Sequence, residues 1–417
     1  MAKKKADDKA PEKKQNPLLA GRQIVSKVLK DDSFVKVDEG KLKKSLPHLP
    51  TGSIVADFLI GGRANRFNVM PCPGLPRGRI VNLYGMESAG KTTFALTAAA
   101  TTIAKGGTVC FIDWEHAIDL AYATTIGVPV QDERKFMLVQ TDSLEKGIKV
   151  MWSMAKAGVD LVIVDSVSAG IPEAVMSQDL EDKGSTGSGG GGLGNVARIW
   201  SQFLPQLQTV ITRTGTCVIG ISQLRDKINM SGYGDKTTAA GGNAWKFYSA
   251  LRLRLQRVKS LKEKSYDPRK HINVEAASGV KVKLKIDKCK VAGSQGLEDE
   301  FYIKFGEGID DVRSVIETAS SHGVVKKGGA WYTWERKDGT EIRGQGMNAF
   351  RETLAGADGG WGELYKATMA AMAISTVADI PVPEEDDFAD IDEILTGGVK
   401  KADDESDEVV EEDEGGE

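Results

Sequence analysis

The chain reads as an α/β protein with a mostly parallel central sheet, and three observations carry that reading. Short, near-continuous apolar runs recur between residues 80 and 222, separated by helix-compatible sequence. Such runs mark strands buried on both faces and joined by helical crossovers. One of them opens into Gly85-Met86-Glu87-Ser88-Ala89-Gly90-Lys91-Thr92 and continues as an Ala-rich helix, which is G-x-x-x-x-G-K-[ST] with a strand before and a helix after. The hydrophobic fraction of 41% supports a sizeable core, while no apolar stretch is long enough to cross a bilayer.

The elements follow in order. Residues 1–15 form a charged arm without the apolar run of a signal peptide, so the protein is expected to stay in the cytoplasm. A helix over Asn16–Leu29 starts at Pro17 and carries an apolar stripe through Leu18, Leu19, Ile24, Val25, Val28 and Leu29. Phe34–Val37 is a short strand candidate, and with the helix it suits either an internal flap or a handle for a neighbouring subunit. The core begins at Leu49; Asp57–Gly62 precedes an irregular stretch, 63–73, whose two prolines read as an exposed loop. Strands are expected at 108–113, 136–140, 161–165 and 216–222, with ligands at their carboxyl ends. Two stretches break the pattern: Gly-rich 183–194 and 227–242 both read as loops. Beyond them, 251–258 and 280–288 alternate apolar and mostly basic residues, as half-exposed strands do. After Gly308 the composition shifts to a small mixed segment with a helix at 312–321 and a strand around Trp331. The organisation is therefore 1–48 (basic arm, helix and strand), 49–308 (core with both loops), 309–378 (small α+β domain) and 379–417 (acidic tail, expected to be disordered).

The net charge of −4 conceals a segregation. Residues 384–417 hold 17 Asp and Glu against 2 Lys, leaving a body of 53 Lys and Arg against 42 Asp and Glu, a net of +11. A basic body suggests a polyanion partner, and the tail reads either as an internal competitor for that surface or as a solubility aid. Cys72, Cys110, Cys217 and Cys289 lie far apart, as do the four histidines, so no protein-built metal centre or disulfide framework is expected.

The Gly85–Thr92 loop points to a nucleoside triphosphate. Its glycines let backbone N–H groups turn toward phosphate oxygens, and the following helix aims its positive end at them. Lys91 supplies a point charge for the β- and γ-phosphates, and the Thr92 hydroxyl can ligate Mg²⁺. Asp165 ends the strand LVIVD and is the candidate second magnesium contact. Glu115 follows the strand TVCFID and is either a general base or a plain helix-starting carboxylate.

At this point longer strings become informative. FIDWEHAIDLAYATTIGV (111–128), GMESAGKTT (85–93), TGSIVADFLIGG (51–62), ISQLRDK (221–227), GGNAWKFYSALRLRL (from Gly241), FGEGI (305–309) and GGAWYTW (328–334) resemble, in order, the bacterial RecA recombinase family. The resemblance runs from about Asn16 to Met369. It implies a P-loop ATPase core of that family, ATP with Mg²⁺ as the nucleotide, and a homo-oligomeric helical filament on single-stranded DNA. Homologous duplex DNA would be the second partner, with single-strand-binding or mediator proteins as further ones, in the cytoplasm of a bacterial or phage-infected cell. Recombination, repair and the SOS response are the processes it implies; a hexameric helicase or motor on the same core is the rival reading.

Residue by residue, the resemblance implies that Glu115 activates water and that Thr93, Asp119 and Tyr122 complete the nucleotide contacts, the last two at adenine. Gln223 becomes a γ-phosphate sensor, and Lys288 and Lys290 reach the neighbouring subunit's ATP, though basic strand faces are also often just solvated. Arg198, Arg225, Lys227, Tyr233, Gly241, Gly242, Asn243 and Lys246 become DNA contacts around the two loops. The N-terminal helix and strand would pack on the adjacent protomer, and Lys326, Lys327, Arg336, Lys337 and Arg343 would form a gateway for duplex. Three features depart from the family pattern: the first loop is longer and richer in glycine, Asp226 stands at a usually apolar position, and 63–73 looks like an insertion.

Overall fold

The computed structural model describes residues 39–67, 69–176, 191–226, 237–239, 243–267, 272–357 and 360–372. The expected N-terminal helix and strand, most of both loops and the acidic tail lie outside the described residues. The chain divides into a unit of residues 1–44, of which a single helical turn, Glu39–Leu42, is described, and a unit of residues 45–417.

The larger unit is built on one sheet. Its strands are β1 (Ile80–Gly85), β2 (Val109–Asp113), β3 (Phe136–Gln140), β4 (Leu161–Asp165), β5 (Cys217–Asp226), β6 (Leu251–Asp267), β7 (Ile272–Cys289), β8 (Glu298–Lys304) and β9 (Gly308–Ile309), in the order β9-β8-β7-β6-β1-β5-β4-β2-β3. The six from β6 to β3 run parallel, while β7, β8 and β9 are antiparallel additions at one side. Strands β1, β2 and β4 are buried at every residue, the reason their sequences read as unbroken apolar runs.

Helices cover both faces. On one, α1 (Ile54–Gly61) and α2 (Lys91–Ala104) pack Phe94, Leu96 and Ile60 against Leu83, Phe111, Ile163 and Ile219. On the other, α4 (Leu144–Ala157) and α5 (Gly191–Thr214) pack Met151, Trp200, Leu204 and Leu207 against Ile112, Val162, Val164 and Val218. Full burial of such a side chain is worth about 1.5–3 kcal/mol, so both layers hold the sheet. Between α2 and α4 lies α3 (Leu120–Ile126), and α6 (Asn243–Tyr248) leads into β6.

The structure moves several expected boundaries. Strand β5 continues to Asp226, where Thr237–Ala239 pairs back on Leu224–Asp226, so part of the second loop is a hairpin. Helix α5 begins at Gly191, inside the first Gly-rich stretch: once the amphipathic run from Asn195 is helical, each preceding residue adds a hydrogen bond without a new nucleus. The 63–73 segment is irregular but mostly half-buried, with Cys72 fully buried. Ser45 Oγ donates to Met70 O (2.7 Å) and Leu46 N to Pro71 O (2.7 Å), which draws the segment onto the body. Strands β6 and β7 also run well past the expected ends as a two-stranded ribbon, since β1 pairs only with Leu251–Leu255.

Past β9, α7 (Asp311–Ser321), a three-stranded sheet (Lys326–Gly328, Trp331–Glu335, Glu341–Gln345), α8 (Gly346–Gly356) and α9 (Gly360–Met372) enclose Ile316, Tyr332, Trp334, Ile342, Phe350 and Leu364. A small cluster of Val55, Val315, Met369 and Met372 joins α7 and α9 to α1. The Asp311 carboxylate accepts from Ile54 N (3.0 Å) at the same seam.

Candidate functional site

The phosphate loop is held in shape by close backbone packing. A Cβ on Gly85 would stand 2.2 Å from Leu255 O, and one on Gly90 would stand 2.4 Å from the Ile303 side chain. Gly90 also has φ +85°, a left-handed conformation that side chains resist, and so begins α2 at the required angle. The cradle therefore fits a phosphate chain entering at a helix N-terminus. Lys91 is buried, and its ammonium donates to Met86 O at 2.7 Å. Burial lowers the Lys91 pKa, against the opposing pull of Asp165, Glu115 and Glu87. Thr92 Oγ1 donates to Asp165 Oδ2 at 2.7 Å, bringing both candidate Mg²⁺ contacts together across α2 and β4. Burial pushes the Asp165 carboxyl up to about 6, with Glu115 and Asp113 adding repulsion. A buried carboxylate short of positive charge suits a divalent cation.

The Glu115 loop is set by a residue that sequence reasoning passed over. Asp113, buried at the end of β2, accepts Glu115 N (3.1 Å) on one oxygen, and Ile118 N (3.2 Å) and Gln140 Nε2 (3.1 Å) on the other. The only signal available was its likeness to Asp165, an aspartate closing an apolar strand one position over in the sheet. Glu115 is left exposed, and Gln223 Nε2 stands 3.5 Å from its Oε1. The general-base and sensor candidates thus meet, although they are 108 residues apart. On the other flank, Asp119 caps α3 by accepting Tyr122 N (3.0 Å), and Tyr122 Oη lies 3.2 Å from Thr93 Oγ1. Met86, Glu87 and Ser88 line the exposed crest of the loop, and Ala89 is buried beneath it.

Lys288 and Lys290 are not part of this constellation. Cys289 pairs with Leu251, which pairs with Val81 at the start of β1, whereas the phosphate loop leaves β1 at Gly85 beside Leu255. Both lysines therefore sit at the opposite end of the sheet from their own nucleotide loop. Lys288 Nζ donates to Lys246 O (2.8 Å) and Phe247 O (2.9 Å), closing the C-terminus of α6. Burial, with Lys290, Arg252 and Lys246 nearby, lowers its pKa. Lys290 is exposed.

Of the candidate nucleic-acid contacts, Arg198 projects from α5 and donates to Asn195 Oδ1 (3.3 Å), while Asn243 and Lys246 are exposed on α6. Arg225 lies on β5, its backbone paired with Thr238. Lys227, Tyr233, Gly241 and Gly242 lie outside the described residues. Among the expected gateway residues, Arg336 is engaged by Glu363 (2.8 Å), and Lys327 stands 3.5 Å from Glu317. Arg343 lies over the Trp331 ring, and Lys326 and Lys337 are exposed. A cleft of about 840 Å³ opens between the β6–β7 ribbon and the N-terminus of α8, lined by Lys259, Lys262, Lys304, Arg313 and Arg351. Sequence reasoning missed it because its cations come from separate segments.

Residues 19–310 match the RecA N-terminal domain family. The protein called Protein RecA from Arthrospira platensis is 32% identical over 390 residues, covering 91% of this chain and 96% of its own. Its namesake from Thermus thermophilus is 37% identical over 314 residues (75% and 82%), and that from Rhodococcus opacus 34% over 361 residues (86% and 92%). None of the helices among the described residues is long and apolar enough to cross a membrane. By the extent of these matches, the chain belongs to the RecA family.

Proposed function

We propose that this protein is a DNA-dependent ATPase that assembles as a helical filament on single-stranded DNA and pairs it with homologous duplex. Family membership favours this over the helicase reading. The observation that carries the mechanism is the division of the sheet into two ends. One gathers Lys91, Thr92, Asp165, Glu115 and Gln223, and the other presents Lys288 and Lys290 away from them.

ATP is the substrate. The amides of 85–92 bind its phosphates, Lys91 neutralises them, and Asp119 and Tyr122 flank the base. Thr92 and Asp165 would hold the Mg²⁺ that offsets charge on the transferred phosphoryl group. Glu115 accepts a proton from the attacking water, and Asp113 fixes its backbone at the end of β2. Gln223, with an amide that donates and accepts, links Glu115 to β5 and so to the second loop, 227–242. Lys288 and Lys290 complete the site of the next protomer, where they stabilise transition-state charge.

Arg198, Asn243 and Lys246 hold the strand's phosphates without regard to sequence, with Arg225, Lys227, Tyr233, Gly241 and Gly242 completing the grip. The basic cleft between ribbon and small domain supports duplex entry there. Glu115→Gln is expected to bind ATP and DNA while turnover falls roughly 10²–10⁴-fold, the usual size of general-base catalysis. Near-normal turnover would remove Glu115 from the role.

A further inference from the structure

Three indoles form a continuous buried chain on the sheet face opposite α2. Trp114 meets Trp200 edge-on at 5.9 Å and 77°, and Trp200 meets Trp245 edge-on at 5.0 Å and 72°. All three are at most 4% exposed. Their positions in the sequence are telling. Trp114 immediately precedes Glu115; Trp200 lies on α5, two residues beyond Arg198; Trp245 lies on α6, between Asn243 and Lys246. One file of rings thus runs from the hydrolytic loop to the helices that follow each of the two loop segments.

The chain is anchored at the nucleotide end. Trp114 Nε1 donates to Ser143 O (3.2 Å), and Trp200 Nε1 donates to Val167 O (3.1 Å), two residues past Asp165. Trp114 N donates to Asp165 O (2.8 Å), and Val167 N to Ile221 O (2.9 Å), two residues before Gln223. At the other end Trp245 Nε1 is buried with no hydrogen-bond partner, so packing alone sets that ring's position. Space for the rings is made by glycines: a Cβ on Gly147 would stand 2.2 Å from Trp114, and one on Gly220 would stand 2.2 Å from Trp245. At interior density a displaced ring must displace its neighbour, and such a file can carry a shift of α5 or α6 to the Glu115 backbone.

We propose that Trp200 is a positioning residue that, through Trp114 and Trp245, makes the placement of Glu115 depend on whether the loop-bearing helices hold a DNA strand. This rests on the function proposed above. ATP turnover by the full-length chain is measured with and without a long oligothymidylate strand, for wild type, Trp200→Leu, Trp200→Phe and Trp114→Phe. In Trp200→Leu the stimulation by the strand is expected to fall about tenfold, within the usual range of coupling between sites. The loss should lie in the stimulated kcat, with the KM for ATP, strand-free turnover and strand affinity each held within about threefold. Trp200→Phe, which keeps an aromatic edge, should restore most of the stimulation.

Undiminished stimulation in Trp200→Leu overturns the proposal. So does a strand-free rate that falls by the same factor, since that marks a merely structural ring. If Trp200→Leu shows no cooperative melting transition, Trp114→Phe decides: severalfold lower stimulation supports the chain, and unchanged stimulation overturns it. A wild type that is not stimulated at all overturns the parent reading as well, and that result is distinct from stimulation that survives the substitutions.

Discussion

The two ends of the central sheet are finished to different degrees. At the carboxyl ends of the strands each candidate group is held by its own chain: Lys91 by Met86 O, Thr92 by Asp165, the Glu115 backbone by Asp113. At the opposite end Lys290 and Lys246 are exposed, and Lys288 spends its protons on the last carbonyls of α6. On the function proposed above, one copy carries two half-sites rather than one whole site, and chemistry waits on assembly. On that reading the exposed cations are the half that a head-to-tail neighbour would complete.

Complementation between two inactive variants gives the largest effect. Lys288→Ala with Lys290→Ala is expected to lower strand-stimulated turnover about 10³-fold, the lower range for a trans-acting cation. Mixed in equal amounts with Glu115→Gln, itself nearly inactive, that variant should recover about a quarter of wild-type activity, because random head-to-tail neighbours pair intact halves that often. If mixing restores nothing, both halves lie in one chain and the comparison collapses.

A smaller effect probes the finished end. Burial raises the folded pKa of Asp165 to about 6, well above the ordinary aspartate range. The unfolded chain therefore releases this proton first, and stability falls as pH rises from about 4 to 6. Asp165→Asn should accordingly stabilise the protein, freed of nucleotide and magnesium, by on the order of 2 kcal/mol at pH 7. That gain should vanish below about pH 4; thermal melts across pH 3.5–7.5 read both limbs, and a constant difference would mean the carboxyl is not desolvated. Smallest is Arg198→Ala, for which binding of an oligothymidylate should lose about one unit of its logarithmic salt slope. An unchanged slope would take α5 out of the strand path.

How much of this could be read in the residues follows from burial. Strands β1, β2 and β4 lie between two helical layers, so unbroken apolar runs fixed them nearly to the residue, and the glycines at 85 and 90 are required by close approaches no other side chain permits. The β6–β7 ribbon beyond Val258 was invisible for the converse reason. Lys259 and Lys262 are exposed and Ser260 and Leu261 only half-buried, and the sequence KSLKEKSYD has no alternation to detect. In the site, Lys91, Thr92 and Asp165 were legible because phosphate chemistry fixes their type and spacing. Asp113, Gln140 and the indole file were not, since each acts through a partner tens of residues away. Tryptophans 114, 200 and 245 read singly as core. Only the fold gives them an order.

The ribbon has one more consequence. Beyond Leu255 β6 no longer pairs with β1, and β7 pairs with β8 only from Gly279 onward. Bare hydrogen-bonding margins invite stray polypeptide to join them and grow into fibrils. Lys259 and Lys262 stand on this ribbon, Lys262 3.6 Å from Glu275 on β7, and charged side chains on an open edge hinder a second strand from joining it. Two of the lysines that line the cleft thus also stand guard on the strand edge.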